Sequence, residues 1–187
     1  MNTVNAYALS LSARYDVELK NAKSANSLNF ISKCALVVSQ EKVATLLANC
    51  EVKTDFAQDS VQANSAFCMK ALENCAHMLE FAVDARNVDK LKSNVEETLR
   101  TLINFKKANE QFSASDIEIA LDKNIKVAKE RAHLYFRRKD VFSSAKRHAS
   151  MNMRALVALN ILKSASKDKY TVNDNDIVKA IEARFTA

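Results

Sequence analysis

Four groups of residues in this chain have types and spacings that chemistry uses. Glu130-Arg131-Ala132-His133 sets a carboxylate and an imidazole three residues apart. That is the Glu-x-x-His spacing that places two ligands on one helix face in di-iron bundles. Such a centre needs a second copy of the motif and two further inward carboxylates, and the sequence has no second copy. On a helix carrying Ile117, Leu121, Ile125, Ala128, Ala132 and Tyr135 as its apolar stripe, His133 also points outward, with Lys126 and Arg137. Glu73, His77 and Glu80 share a helical face at spacings of four and three, which on a bundle surface reads as an exposed ion-pair row. Asp174-Asn175-Asp176 opens like a calcium loop but lacks its glycine and its closing glutamate, so it reads as a helix start.

The fourth group is cationic. Residues 123–163 hold 11 Lys and Arg against two acidic residues, Glu130 and Asp140. Nine of these cations are candidate phosphate contacts: Lys123, Lys126, Lys129, Arg137, Arg138, Lys139, Lys146, Arg147 and Arg154. Ser143, Ser144, Ser150 and Asn152 lie among them as donors to phosphate oxygens. Tyr135 and Phe136 are placed to stack on unpaired bases. The excess charge is confined to this end of the chain. Residues 1–115 hold 13 basic and 13 acidic residues, whereas residues 116–187 hold 15 and 9, which accounts for the whole net charge of +6. A neutral part followed by a basic part is the pattern of a scaffold with a polyanion-facing surface.

The elements that must carry these residues follow from an absence. In 187 residues there is no glycine and no proline, where average usage gives about 13 and about 9. Without glycine there is no P-loop, no dinucleotide-binding turn and no nucleophile elbow, because each brings backbone close to a ligand or through a tight turn. The expectation is a protein without catalytic residues, cofactor or metal site, and not an enzyme.

Apolar residues recur at spacings of three and four along almost the whole chain, the helical period. One stripe runs Val4, Tyr7, Leu11, Tyr15, Leu19, and a break falls at Ser24–Ser27. A second runs from Leu28 to Cys50, with an interruption at Ser39–Lys42. Thr54-Asp55 then opens a long third helix through Phe56, Phe67, Leu72, Met78 and Val83, and Asn87 caps a fourth carrying Leu91, Val95, Leu99, Leu102 and Phe105. Ser115-Asp116-Ile117-Glu118 reads as a capping box opening the fifth helix, out to Tyr135. A sixth runs from about Val141 to Lys163, and its end, Ala155–Leu162, is apolar nearly all round, which predicts a central buried helix with Asn160 as a buried amide. Lys163–Lys169 reads as a surface loop, and a short last helix carries Ile177, Ile181 and Phe185. The predicted fold is all-α: one domain, 1–187, a bundle of six or seven helices with no β-sheet, in which 1–115 is the neutral scaffold and 116–187 the basic part.

Cys34, Cys50, Cys68 and Cys75 contain no Cys-x-x-Cys pair and read as small core residues kept reduced inside a cell. The chain shows no secretory signal and no apolar run near ~18 residues, so neither secretion nor a membrane is expected, and a cytoplasmic or virion location is. The Asn-, Lys- and Ser-rich composition is that of a viral or mobile-element product. The expected function is nucleic-acid binding, to DNA or RNA, through phosphate contacts with little sequence preference. The alternative is a structural, assembly or adaptor protein, for instance a viral particle subunit or an inhibitor, that meets an acidic protein or another copy of itself through helices. In that reading the stripe of Phe67, Leu72, Met78 and Phe81 leaves an uncovered patch.

Overall fold

The structure is a computed structural model and describes residues 3–21, 25–59, 66–84, 91–138 and 144–186. In chain order the helices are α1 (Thr3–Lys20), α2 (Ala25–Val38), α3 (Glu41–Asn49), the single turn α4 (Phe56–Asp59), α5 (Ala66–Val83), α6 (Ser93–Ala108) and α7 (Ala114–Leu121). A 3-10 helix (Lys129–Leu134) and α8 (Ala145–Ala158) follow. A two-stranded hairpin, β1 (Leu162–Ser166) and β2 (Lys169–Val172), precedes α9 (Asp176–Thr186). The fold is predominantly helical, and its buried apolar residues form one cluster running from Tyr7 on α1 to Ile181 on α9. The interruption at Ser39–Lys42 separates α2 from α3, and Asn175 caps α9 by accepting the Val178 N–H at 3.1 Å. Asn87 lies outside the described residues.

The expectation of no sheet is corrected by β1 and β2. They pair antiparallel from Leu162 opposite Val172 to Ser166 opposite Lys169, with a bulge between Ser164 and Ser166. The run Lys163–Lys169 carries no apolar alternation because it is exposed along its length, so its strand character is invisible to periodicity. It is held by the backbone ladder and by Tyr170, whose N–H and C=O both pair with Phe112, at 2.8 and 2.7 Å. The long fifth helix is corrected too. Helix α7 stops at Leu121, and its N-cap is Ser113 rather than Ser115, with the Ser113 hydroxyl accepting from the Asp116 N–H and donating to the Asp116 carboxylate. The sixth helix ends at Ala158, before the hairpin.

Three helices end in one motif, and that motif normally calls for glycine. After α3, α6 and α8 the residues Glu51, Asn109 and Asn160 take left-handed backbone, with φ of 54°, 55° and 51°. In each case the next N–H reaches back to a carbonyl five residues earlier: Val52 to Leu47, Glu110 to Phe105 and Ile161 to Leu156. This is the Schellman cap. Asn tolerates left-handed backbone better than most residues because its short amide bonds locally. The amide of Asn160 is half-buried, donates to the Cys50 carbonyl at 2.9 Å and accepts from Asn173 at 3.2 Å. Asp168, with φ 59°, turns the hairpin in the same way.

Polar side chains join the centre of the bundle. Asn152 on α8 is fully buried and makes three hydrogen bonds. Its carbonyl accepts from Asn74 Nδ2 on α5 at 2.7 Å, and its NH2 donates to Thr98 Oγ1 at 2.7 Å and to the Asn94 carbonyl at 3.1 Å, both on α6. Thr98 in turn donates to the Asn94 carbonyl at 2.8 Å. Asn152 is therefore an internal clamp across α5, α6 and α8, which corrects its reading as a phosphate donor. Its replacement by alanine strands the Asn74 amide and the Thr98 hydroxyl in the core. Asn152→Ala is expected to lower unfolding free energy by about 3 kcal/mol in urea titrations, the scale of buried polar groups left unsatisfied.

Candidate nucleic-acid interface

Helix α6 positions the basic segment. Asn94, Glu97, Thr98 and Thr101 fall at helical spacing on one face, and all four are buried. Asn94 and Thr98 receive α8 through Asn152. Glu97, Thr101 and Asn104 receive the chain from His133 to Arg138, which leaves the 3-10 helix in extended form without a strand beside it. Asn104 Nδ2 donates to the carbonyls of His133 and Leu134, both at 3.3 Å. The Phe136 N–H donates to Thr101 Oγ1 and the Arg138 N–H to Glu97 Oε1, each at 3.1 Å. Side chains of a helix thus do for this segment what a neighbouring strand would do, and the segment runs antiparallel to α6.

The two aromatic residues of this segment are committed inward. Tyr135 is buried edge-on against Phe105, with ring centroids 5.6 Å apart. Its hydroxyl donates to Asp116 Oδ1 at 2.8 Å, and burial together with that carboxylate pushes its pKa up to about 12. Phe136 is half-buried under the Arg100 guanidinium, 4.8 Å from its centroid. The Tyr135 ring is taken up by the core, and Arg100 of α6 lies over the ring of Phe136.

Eight of the nine candidate cations lie among the described residues and fall into three groups. Arg137 and Arg138 are held structurally. The Arg137 guanidinium donates to the carbonyls of Asp122 and Ile125, closing the turn after α7, and Arg138 pairs with Glu96 at 2.7 Å. Lys126 and Lys129 stand exposed on the 122–129 segment, with Lys123 half-buried beside them. Lys146 and Arg147 are exposed in the first turn of α8, and Arg154 is half-buried two turns on. Lys139 and Ser143 lie outside the described residues. Among the described residues Lys126, Lys129, Lys146 and Arg154 form no ion pair. The connection from α7 to α8 contains extended chain and a 3-10 helix, so these helices do not form a helix-turn-helix.

The Glu-x-x-His motif sits on the 3-10 helix with Glu130 and His133 both exposed. Cys34, Cys50 and Cys75 are buried thiols, as read from the sequence, while the side chain of Cys68 lies outside the described residues. Leu72, Met78 and Phe81 are fully buried, so these three leave no patch, while the side chain of Phe67 lies outside the described residues. Among the described residues the exposed large apolar side chains are instead Leu9, Val17 and Leu19 on α1, Leu36 on α2 and Val157 on α8.

The residues whose spacing reads as an exposed ion-pair row belong to a charge cluster between α2, α5 and the start of α6. Glu73 and His77 are largely buried there. Lys92, just before α6, bonds Glu73 at 2.6 Å, and Lys33 of α2 lies 3.2 Å from His77 Nε2. Since an ammonium only donates, His77 accepts at Nε2 and carries its proton on Nδ1, which faces Glu80 at 3.8 Å. Burial, then the charges of Lys33 and Lys92, push the His77 pKa down to about 4. Burial and the charges of Lys70 and Lys92 lower that of His148 on α8, whose Nδ1 lies 3.2 Å from Asn94 Nδ2. At Glu73 burial acts upward but is outweighed by the Lys92 bond and charge, which hold the carboxyl below its usual range. The sequence carries the signal as Lys33, Lys70 and Lys92, but these are spread over three elements that only packing unites.

The neutral state of His77 has a consequence for stability. The unfolded ring takes its proton near 6.5 and the folded ring only near about 4. Between those values the unfolded chain binds the extra proton. Stability from this group is therefore whole above about 6.5, falls as pH drops through that window and levels below it. His77→Gln keeps an acceptor for Lys33 without titrating. Its melting temperature is expected to fall less than that of the parent chain between pH 7 and pH 4.5 in a thermal series. No protein-family model, no curated protein and no solved structure matches this chain.

Proposed function

We propose that the protein is a non-enzymatic nucleic-acid-binding protein that contacts phosphates of DNA or RNA through the exposed cations of residues 123–154. The observation that supports this reading is the charge left over once internal partners are subtracted. Arg131 is met by Glu110 and Asp116, Arg138 by Glu96, and Lys106 and Lys107 of α6 by Glu182 of α9. Lys126, Lys129, Lys146 and Arg154 have no such partner among the described residues. The first turn of α8 also carries Lys146 and Arg147 and no acidic residue. Cations at the positive end of a helix dipole are unfavourable alone and are relieved by a nearby phosphate. With Tyr135 buried and Phe136 covered by Arg100, contact runs through backbone phosphates rather than base stacking, which favours binding with little sequence preference. Changing Lys126, Lys129, Lys146 and Arg154 together to alanine is expected to weaken binding to labelled oligonucleotides by at least about tenfold and to flatten its salt dependence. Fluorescence anisotropy across a salt series measures both, and unchanged affinity excludes the reading.

A second reading, contact with another protein or a second copy, is favoured by the outer side of α1 and α2. Leu36 is 71% exposed, and a groove of about 390 Å³ between the two helices is lined by Leu11, Tyr15, Ile31, Ala35 and Leu36. Exposed apolar residues gathered in this way mark contact surfaces. If the groove joins two copies, light scattering is expected to give a dimer for the parent chain and a monomer for Leu36→Glu. A monomeric parent chain excludes self-association.

A further inference from the structure

The cations at the junction of α2, α5 and the start of α6 are arranged differently from an ion-pair row. Lys92 is neutralised by Glu73 at 2.6 Å. Lys33 and Lys70 form no salt bridge with a carboxylate among the described residues, although the charge of Lys33 is felt by Glu73, whose own salt bridge is to Lys92. Lys33 leans on the imidazole of His77, and Lys70 lies over the face of Phe30, 6.0 Å from the ring centroid. An imidazole nitrogen and an aromatic face orient an ammonium without cancelling its charge. Both lysines are half-buried, so their field is screened less by water than that of a fully exposed side chain. After burial, which is the larger cause, Lys33 and Lys92 lower the proton affinity of His77, and Lys70 and Lys92 that of His148.

The cluster also adjoins the basic surface of α8. His148, which feels Lys70 and Lys92, directly follows Lys146 and Arg147 in the first turn of that helix. Helices α5 and α8 run alongside each other, joined by Asn74 with Asn152 and by Cys75 with the Ala155 carbonyl. Helix α5 thus packs against α8 on one side and α2 on the other.

We propose that Lys33 and Lys70 form a phosphate-contact site that extends the nucleic-acid surface from α8 onto α5 and α2. This rests on the nucleic-acid reading above and adds residues far from the basic segment in sequence. The strand backbone approaches the side of the junction that Lys33 and Lys70 occupy, while Lys92 stays with Glu73 and holds α5 to the start of α6. His77 and Phe30 serve as positioning residues that keep the two ammonium groups extended.

The test is the double variant Lys33→Gln with Lys70→Gln, measured beside the parent chain with fluorescein-labelled single-stranded DNA, duplex DNA and RNA across a salt series. The expected result is binding weakened by about tenfold, with the slope of log affinity against log salt reduced by about two, one for each phosphate that is no longer neutralised. The charge-preserving pair Lys33→Arg with Lys70→Arg is expected to keep the parent slope, which separates an effect of charge from an effect of folding. A glutamine variant that binds with the parent affinity and slope overturns this site and leaves the nucleic-acid reading standing. An arginine variant whose slope drops as far as that of the glutamine variant also overturns the site. A parent chain that binds none of the three probes overturns both.

Discussion

The buried polar face of α6 is the constraint on which the second half of this molecule depends. A helix that buries Asn94, Glu97, Thr98 and Thr101 has to provide each of them with a partner, because an unpaired polar group in a core costs as much as several methylenes contribute. The partners come from two directions. Asn152 brings α8 and α5 to one end, and the N–H groups of Phe136 and Arg138 bring an extended segment to the other. An apolar face would hold these parts near α6 and let them slide, whereas directional hydrogen bonds set their register. The positions of Arg137 and Arg138 and of the cations on α8 follow from those few bonds.

The same arrangement divides the basic residues into structural and available ones. The arginines have forked donors that suit carbonyls and carboxylates, and Arg137 and Arg138 are drawn into the frame. The lysines of this region, Lys126, Lys129 and Lys146, stay at the surface. A compact ammonium on a flexible stem gains little from being fixed, so it remains in water with its charge available.

A chain without glycine still has to end helices and turn corners. Glu51, Asn109 and Asn160 close three helices in left-handed backbone, and Asp168 turns the hairpin. Asn160 does more than cap. It ties the Cys50 carbonyl to the Asn173 side chain, so the end of α8 is bound to the end of α3 and to the approach to α9, where Ile177 N–H meets Cys50 Sγ at 3.4 Å. Glycine there would supply the backbone angle but not the amide.

By itself the sequence determined the helical class, most of the apolar stripes, the division of charge and the absence of glycine-dependent sites, because these depend on residue type and spacing along one element. Tyr7, Leu11, Ile31, Leu72, Leu99 and Ile181 are buried where the period of 3.6 puts them. Only the tertiary structure decided the rest. A helical stripe from Ile117 to Tyr135 is broken after Leu121, where the Arg137 guanidinium takes the carbonyls of Asp122 and Ile125, and its far end is drawn onto Glu97, Thr101 and Asn104 of α6. The exposed run Lys163–Lys169 becomes a hairpin because Phe112 and Tyr170 pair across a distance in sequence. Asn152 faces the core rather than phosphate, and Lys33, Lys70 and Lys92 converge, for one reason. Hydrogen bonds and charge interactions join groups by nearness in space, and periodicity along a chain records only which face of an element avoids water.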